Sequence, residues 1–186
     1  MDKSDVKLVD AYRLINPGVV LLVSVGDGRA DNLFAVAWNV PVRKDPPMVG
    51  IVSSKGHHSY PFIERTGELG LNVPDASLAG QVLGCGKTSG RDVPDKFARF
   101  GLTRQPAERI RPPLVAEAVA NLECRVCQVV DLGSSALVMA QVLRAVASSE
   151  HFRDGQWQLD RGLRLLHHLS GDRFCASEQM LVAKVP

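Results

Sequence analysis

The segment "CGKTSGRDVPDKF" (85–97) mixes glycines with basic and hydroxyl side chains, which suits a phosphate group. The phosphate-binding loop of nucleotide triphosphatases reads GxxxxGK[ST], follows a strand and begins a helix. Gly86-Lys87-Thr88 would need a glycine at position 81, which is Gln81, and the preceding "ASLAGQVL" itself predicts a helix. These departures argue against a nucleotide triphosphatase. Two options stay open: a loop wrapped around an anion, or a solvated connection between two helices.

A second polar run, "SSKGHHS" (53–59), follows the apolar "MVGIV" and precedes the predicted helix "YPFIERTG". Free amide groups and the dipole at a helix N-terminus attract phosphate groups. Adjacent side chains on a helix point apart, so His57 and His58 are not expected to share a metal ion. The run predicts anion binding, with solvent-facing histidines as the alternative, and no metal site.

Cys124 and Cys127 form a CxxC pattern within "NLECRVCQVV". A zinc site would need a second pair of ligands at suitable spacing, and the sequence has none. The apolar alternation is typical of a strand, where residues three apart point to opposite faces. We therefore expect two structural cysteines and no zinc or redox motif.

The composition is that of a globular protein, with 45% hydrophobic residues, 23% charged residues and a net charge of +2. The charges are interspersed, which does not favour a nucleic-acid partner. No apolar run approaches the length of a membrane-spanning helix, and the polar start "MDKSDVKLVD" is unlike a secretory signal. These features predict a cytoplasmic protein with no membrane partner and a single domain over residues 1–186.

Hairpin-rich β structure dominates the predicted elements, and short helices occupy the connections. The predicted helices are 60–67, 76–84 and 93–101, and the segment 161–174 is ambiguous. Long βαβ periodicity is missing, which argues against a Rossmann architecture. The fold class is therefore mainly β, an antiparallel barrel with short helices, because closing the sheet hides its edges. The predicted strands are 18–26, 31–43, 48–54, 68–74, 118–133 and 135–148, with a hairpin turn at Leu132-Gly133-Ser134.

Four motifs in order carry a resemblance to a known family: "NLFAVAWNVPVRKDPPMVGI", "SSKGHHSYPFIERTGELGLNVP", "CGKTSGRDVPDKFARFGLT" and "PPLVAEAVANLECRV". Together they resemble the flavin reductase-like family of FMN-binding split barrels, and within it the flavoredoxins, from about Pro17 to about Phe174. The resemblance implies a homodimer of six-stranded Greek-key barrels with FMN at the rim. It also implies electron transfer through the flavin, with NAD(P)H as a transient donor.

The resemblance assigns cofactor contacts to particular positions. Trp38 would cover or edge the flavin ring, although a core tryptophan is the alternative reading. Lys96 would pair with the cofactor, and the block around Arg91 would close over it. The full set of implied contacts is Asn32, Ala37, Trp38, Asn39, Ser53, Ser54, Lys55, Ser59, Ser89, Gly90, Arg91, Lys96, Phe97 and Phe174.

One departure from the family bears on activity. The family often places a histidine in the hairpin turn where this chain has Ser135, which puts rapid hydride transfer from NAD(P)H in question. His167 or His168 could substitute for that histidine. Three functions stay open: an NAD(P)H-dependent flavin reductase, an electron carrier between protein partners, and a non-catalytic barrel that binds FMN or haem.

Overall fold

The computed structural model describes residues 18–183, which form an antiparallel β structure with three short helices. The helices are α1 (Tyr60–Thr66), α2 (Ala79–Lys87) and α3 (Lys96–Arg99). The strands are β1 (Leu21–Gly26), β2 (Asp31–Val36), β3 (Asn39–Arg43), β4 (Met48–Ser54), β5 (Glu68–Val73), β6 (Arg104–Gln105), β7 (Leu114–Val115), β8 (Ala120–Leu132), β9 (Ser135–Ala147), β10 (Phe152–Arg153), β11 (Gln156–Trp157), β12 (Leu166–Ser170) and β13 (Arg173–Ala176).

Seven strands form the main sheet in the order β2-β1-β5-β8-β9-β4-β3. The two outermost strands are consecutive in the chain, because only Ala37 and Trp38 separate β2 from β3. The Trp38 carbonyl accepts a hydrogen bond from the Val52 amide at 2.9 Å, so the corner itself is tied to β4. Residues 31–43 therefore behave as one bent segment that closes a ring of six strands, which hides the sheet edges.

The closure corrects one expectation from the sequence. The segment 31–43 was predicted as a single strand paired with the first strand. Its first half pairs with β1, from Asp31 opposite Gly26 to Val36 opposite Leu21, and its second half pairs with β4. A bend at residues 37–38 redirects the chain, and local alternation of apolar residues carries no information about such a change of partner.

Strand β1 is buried along its whole length because both of its faces are covered. Val23 and Val25 point into the barrel core, while Leu22 belongs to a second cluster with Val82 of α2 and Phe97 of α3. Burial on both faces explains why this strand reads as a continuous apolar run.

The helices agree with the predictions in position but differ in extent. Helix α1 ends at Gly67, whose φ of 62° is the left-handed conformation that glycine adopts without strain. The predicted helix 76–84 is a 3₁₀ turn at 76–78, capped by the Asp75 carboxylate, followed by α2, which extends to Lys87. The predicted helix 93–101 shortens to α3, whose first turn is capped by Asp95.

The long hairpin of β8 and β9 turns at Gly133 as predicted, and its two cysteines differ in environment. Cys124 is buried in the core, where desolvation raises the pKa of its thiol to about 12, and Cys127 is exposed.

The ambiguous segment near the C-terminus forms the hairpin β12–β13, which bridges to Val19 through His167. Within residues 18–183 no helix has the length and apolar character to cross a membrane, and the cytoplasmic location stays a prediction.

Candidate functional site

A cavity of about 460 Å³ opens at the rim of the barrel, within the size range of small-molecule sites. One side is formed by β2 and the C-terminal end of α2, and the other by Trp38, the end of β4 and the turn at Ser135. The hairpin β12–β13 covers a third side with residues 168–171 and Phe174. Strands far apart in the sequence thus meet at one site because the ring is closed.

The cavity lining is largely apolar and aromatic, with Phe34, Trp38 and Phe174 as its rings. Trp38 is 51% exposed, so it belongs to the cavity rim and not to the core. His168 meets the Phe174 ring edge-on at a centroid distance of 5.2 Å and lies 3.3 Å from the Gly171 carbonyl through Nε2. Flat apolar walls of this kind suit a planar conjugated ligand.

The polar groups of the cavity are hydroxyls and bases, and none of the lining side chains is acidic. Lys87, the last residue of α2, carries an ammonium group that has no partner among residues 18–183. Ser54 and His57 line the cavity as well. An unpartnered cation in a cavity without carboxylates favours a ligand that carries negative charge.

The position of Lys87 also settles the Gly-Lys-Thr question. Gly86 and Lys87 are the last two residues of α2, and the Thr88 hydroxyl donates back to the Gly84 carbonyl at 2.6 Å. In a phosphate-binding loop these residues would begin a helix, with the positive end of its dipole towards the phosphate. Here the lysine is at the opposite, negative end, where a basic side chain is favourable.

Four of the residues implied by the family resemblance line the cavity: Ala37, Trp38, Ser54 and Phe174. They come from three separate parts of the chain, the β2–β3 corner, the end of β4 and strand β13.

Asn32, Ser59 and Gly90 meet beside the cavity without lining it. The Asn32 amide donates to the Ser59 hydroxyl at 2.7 Å, and both side chains are buried. A Cβ added to Gly90 would lie 2.8 Å from Asn32 Oδ1, so only glycine lets the loop approach this closely. Asn32 Oδ1 and the buried Ser53 hydroxyl have no partner among the described residues. Unpaired buried polar atoms are costly, and Asn32 Oδ1 marks this cluster as one that a bound polar group would complete.

Two basic residues implied by the resemblance have partners outside the cavity. The Lys55 ammonium is 2.7 Å from the Asp131 carboxylate, which raises the lysine pKa through that hydrogen bond. The Arg91 guanidinium donates to the Gly56 carbonyl at 3.3 and 3.4 Å, and the Arg91 amide donates to the Ser89 hydroxyl. These contacts tie the segment after β4 to the β8–β9 hairpin and to the loop that follows α2.

Three further implied residues lie outside the cavity lining, with Asn39 half-buried and Lys96 and Phe97 buried. The Asn39 amide donates to the Val19 carbonyl at 2.8 Å, and Phe97 is buried with the Arg104 guanidinium over its ring. The Lys96 ammonium donates to the carbonyls of Leu33 at 2.7 Å and Cys85 at 2.9 Å. Each of these side chains connects elements of the fold.

Sequence reasoning did not assign several residues that line the cavity. Lys87 was quoted within the Gly-Lys-Thr motif, and His57 was given solvent exposure as its alternative. The apolar lining from Phe34, Val36 and Leu83 gave no chemical signal, because core residues have the same composition. The preference for a basic residue in the last turn of a helix could have indicated Lys87 once α2 was extended to residue 87.

A closed antiparallel barrel with a rim cavity of this lining defines a split-barrel protein whose cavity suits a small planar ligand. A sequence model of the family described as "Flavin reductase like domain" matches residues 12–170, and the chain belongs to this family. The structure has the split-barrel fold of flavin reductase-like proteins, mainly β with one large antiparallel sheet.

Similar proteins include one relative by sequence and two solved structures. The uncharacterized protein YddH of Escherichia coli (strain K12) is 32% identical over 183 residues, which is 96% of each chain. The crystal structure of an FMN-binding domain of a flavin reductases-like enzyme from Shewanella baltica OS155 is 28% identical with a TM-score of 0.83, covering 97% of each chain. Flavoredoxin from Methanosarcina acetivorans shares the fold with a TM-score of 0.84 at 21% identity, covering 98% of this chain and 95% of that one.

Proposed function

We propose that this protein binds FMN in the rim cavity and transfers electrons through it. The observation that carries the proposal is a cavity with aromatic walls, no acidic lining residue and an unpartnered lysine. FMN has a flat apolar ring system and a phosphate, and these two parts match the two kinds of lining. Bound FMN supplies the redox chemistry, while the protein positions it, sets its electrostatic surroundings and limits access of water.

Lys87, His57 and Ser54 would receive the phosphate, because they supply an ammonium group, an imidazole and a hydroxyl group to the cavity lining. Trp38 and Phe174 would contact the ring system. Of the other implied residues, Asn32, Ser59, Ser53 and Gly90 would complete the adjoining wall through the buried polar cluster.

NAD(P)H is the electron donor that the family resemblance favours, which would make the protein a flavin reductase. One observation favours a flavoredoxin-type electron carrier instead. The hairpin turn presents Ser135 to the cavity, so no ring from this turn reaches a nicotinamide. His168 supplies an imidazole on the opposite side of the same cavity.

A homodimer completes the proposal, and a half-exposed apolar surface supports it. Val40 and Val42 of β3 are 50% and 43% exposed, and they share a face with half-buried side chains of the adjoining strands. Val52, on this face, also lines the cavity. We name this surface the outer face: Val40, Val42, Val52, Leu137 and Met139. A second copy covering the outer face would therefore lie next to the bound cofactor.

Two measurements on the purified protein test the proposal. FMN titration should give saturable binding with one site per chain and a flavin absorbance spectrum. If incubation with excess FMN leaves the protein colourless, the proposal fails. Anaerobic addition of NADH or NADPH should then bleach the flavin absorbance within seconds. If only dithionite bleached the flavin, the protein would be assigned as an electron carrier and not as a reductase. If the bound flavin underwent no redox cycling, the remaining function would be cofactor storage or sensing.

A further inference from the structure

Lys96 begins α3 and is only 3% exposed, although it carries a charge. Within residues 18–183 its hydrogen-bond partners are the carbonyl oxygens of Leu33 and Cys85, at 2.7 and 2.9 Å, and none is a carboxylate. Burying an ammonium group is unfavourable unless hydrogen bonds replace its hydration, and these two carbonyls do so. Because desolvating the Lys96 ammonium group is unfavourable, we expect its two hydrogen bonds to fix the elements that carry these carbonyls.

The two carbonyls belong to the two elements that together form one side of the cavity. Leu33 is in β2, directly before Phe34 and Ala35, which line the cavity. Cys85 is in α2, directly before Gly86 and Lys87, which line the same side. One side chain therefore joins two backbone segments immediately next to the residues that would contact a ligand.

The end of α2 and strand β2 approach each other closely where Lys96 joins them. A Cβ added to Gly86 would lie 3.2 Å from the Ala35 Cβ, so a larger residue would push the end of α2 and strand β2 apart by a few tenths of an ångström. The Cys85 carbonyl is in the last turn of α2, where carbonyl oxygens receive no hydrogen bond from the amides of the same helix. A cation near them interacts favourably with the negative end of the helix dipole. Lys96 satisfies this carbonyl and fixes the helix end against the strand.

We propose that Lys96 is a positioning residue, which sets the spacing between β2 and the end of α2 on one side of the FMN cavity and does not contact the phosphate. The inference rests on the proposed function, because the ligand whose binding it controls is FMN. It assigns the two lysines of the segment 85–97 different roles: Lys87 meets the phosphate and Lys96 shapes the cavity.

Riboflavin, which has the ring system of FMN without its phosphate, separates these roles. Dissociation constants of FMN and riboflavin should be measured by flavin fluorescence for the wild type, Lys96→Met and Lys87→Met. A wall-spacing residue affects both ligands, so Lys96→Met should weaken FMN and riboflavin by the same factor, about tenfold or more, as expected for lost hydrogen bonds to a charged group. Lys87→Met should weaken FMN alone.

Three results would overturn the inference. If Lys96→Met weakened FMN but not riboflavin, the ammonium would contact the phosphate. If it lowered only the melting temperature, with both dissociation constants unchanged at 15 °C, its role would be stability alone. If wild type bound neither ligand, the proposed function itself would fail, which is a separate outcome.

Gly86→Ala provides a second variant in case Lys96→Met does not fold. The added methyl group presses on Ala35 while Lys96 stays in place, and the helical backbone at this position accepts alanine. We expect a smaller loss, about threefold, that is equal for FMN and riboflavin. Unchanged affinity for both ligands would mean that the spacing between β2 and the end of α2 does not control binding, and the inference would be wrong.

Discussion

The cavity has two sides that differ in how completely one chain builds them. The closed wall, formed by β2 and the end of α2, is backed by α3 and a buried apolar cluster, and Lys96 donates one hydrogen bond to each of its two elements. The open wall, formed by Trp38, Val52 and Ser135, continues into the exposed outer face. The difference supports the proposed dimer, in which the chain would complete the closed wall alone and a second copy would complete the open wall.

A charge on the outer face should give the largest effect. Val40→Arg places a cation in the surface that a second copy would cover, so we expect the dimer to dissociate to monomers at micromolar concentration. Because the outer face adjoins the cavity, FMN affinity should fall as well. Sedimentation velocity and FMN titration would measure both effects.

Leu181→Arg is the matched control, since Leu181 is also exposed and lies outside every strand. It should leave the dimer intact. A wild-type protein that is monomeric at all concentrations, or a Val40→Arg dimer of unchanged strength, would contradict the assignment of the open wall to a dimer interface.

Thiol reactivity compares the two regions directly. Cys85, in α2 of the closed wall, is buried, and desolvation raises the pKa of its thiol to about 11. Cys127, in β8, is exposed. Since the thiolate is the reactive form, iodoacetamide at pH 8 should label Cys85 about 100-fold more slowly than Cys127.

Peptide mass spectrometry over a time course would measure the two labelling rates. In guanidinium chloride the two cysteines should react alike, which controls for the reagent. Equal rates in the native protein would mean that the closed wall opens frequently.

Salt should weaken FMN binding through Lys87 and leave the link that Lys96 makes between β2 and α2 unaffected. Lys87 is exposed at the rim, so its attraction for the FMN phosphate is screened by ions, and the wild-type FMN dissociation constant should rise about threefold between low and high salt. Riboflavin binding should show little salt dependence. In Lys87→Met the FMN salt dependence should shrink towards that of riboflavin; an unchanged dependence would assign the phosphate to another cation.

The smallest effect is expected at the Lys55–Asp131 ion pair, which joins the open wall to the hairpin turn. Exposed ion pairs contribute little, because both groups are well solvated when separated. Lys55→Met should change FMN affinity by less than about threefold, with Arg29→Met as a control for the loss of one surface charge. A loss as large as that of Lys87→Met would place Lys55 at the phosphate.

The sequence predicted most of the elements because their signals are local. Apolar alternation located β4, β8 and β9, and Gly67 and Gly133 marked the ends where a left-handed backbone is needed. The order of four motifs identified the family, and the spacing in Gly86-Lys87-Thr88 excluded the phosphate-binding loop. Trp38 and Phe174 were placed at the cavity from the family resemblance.

The two lysines show where sequence reasoning stopped. Both are basic residues in a polar segment, and nothing local indicates which one reaches the cavity. The end point of α2 directs Lys87 to the cavity, and the packing of α3 against β2 buries Lys96. Neither feature is visible without the tertiary contacts.

The sequence alone determined the family, the β-rich architecture and the strands that build it, because periodicity and turn residues act over a few positions. The tertiary structure decided that residues 31–43 bend to close the ring, that β2 and α2 meet at the cavity, and that Lys87 lines the cavity while Lys96 is buried behind it. Those outcomes depend on contacts between residues distant in the chain, where the free energy of burial is gained only when the whole barrel forms.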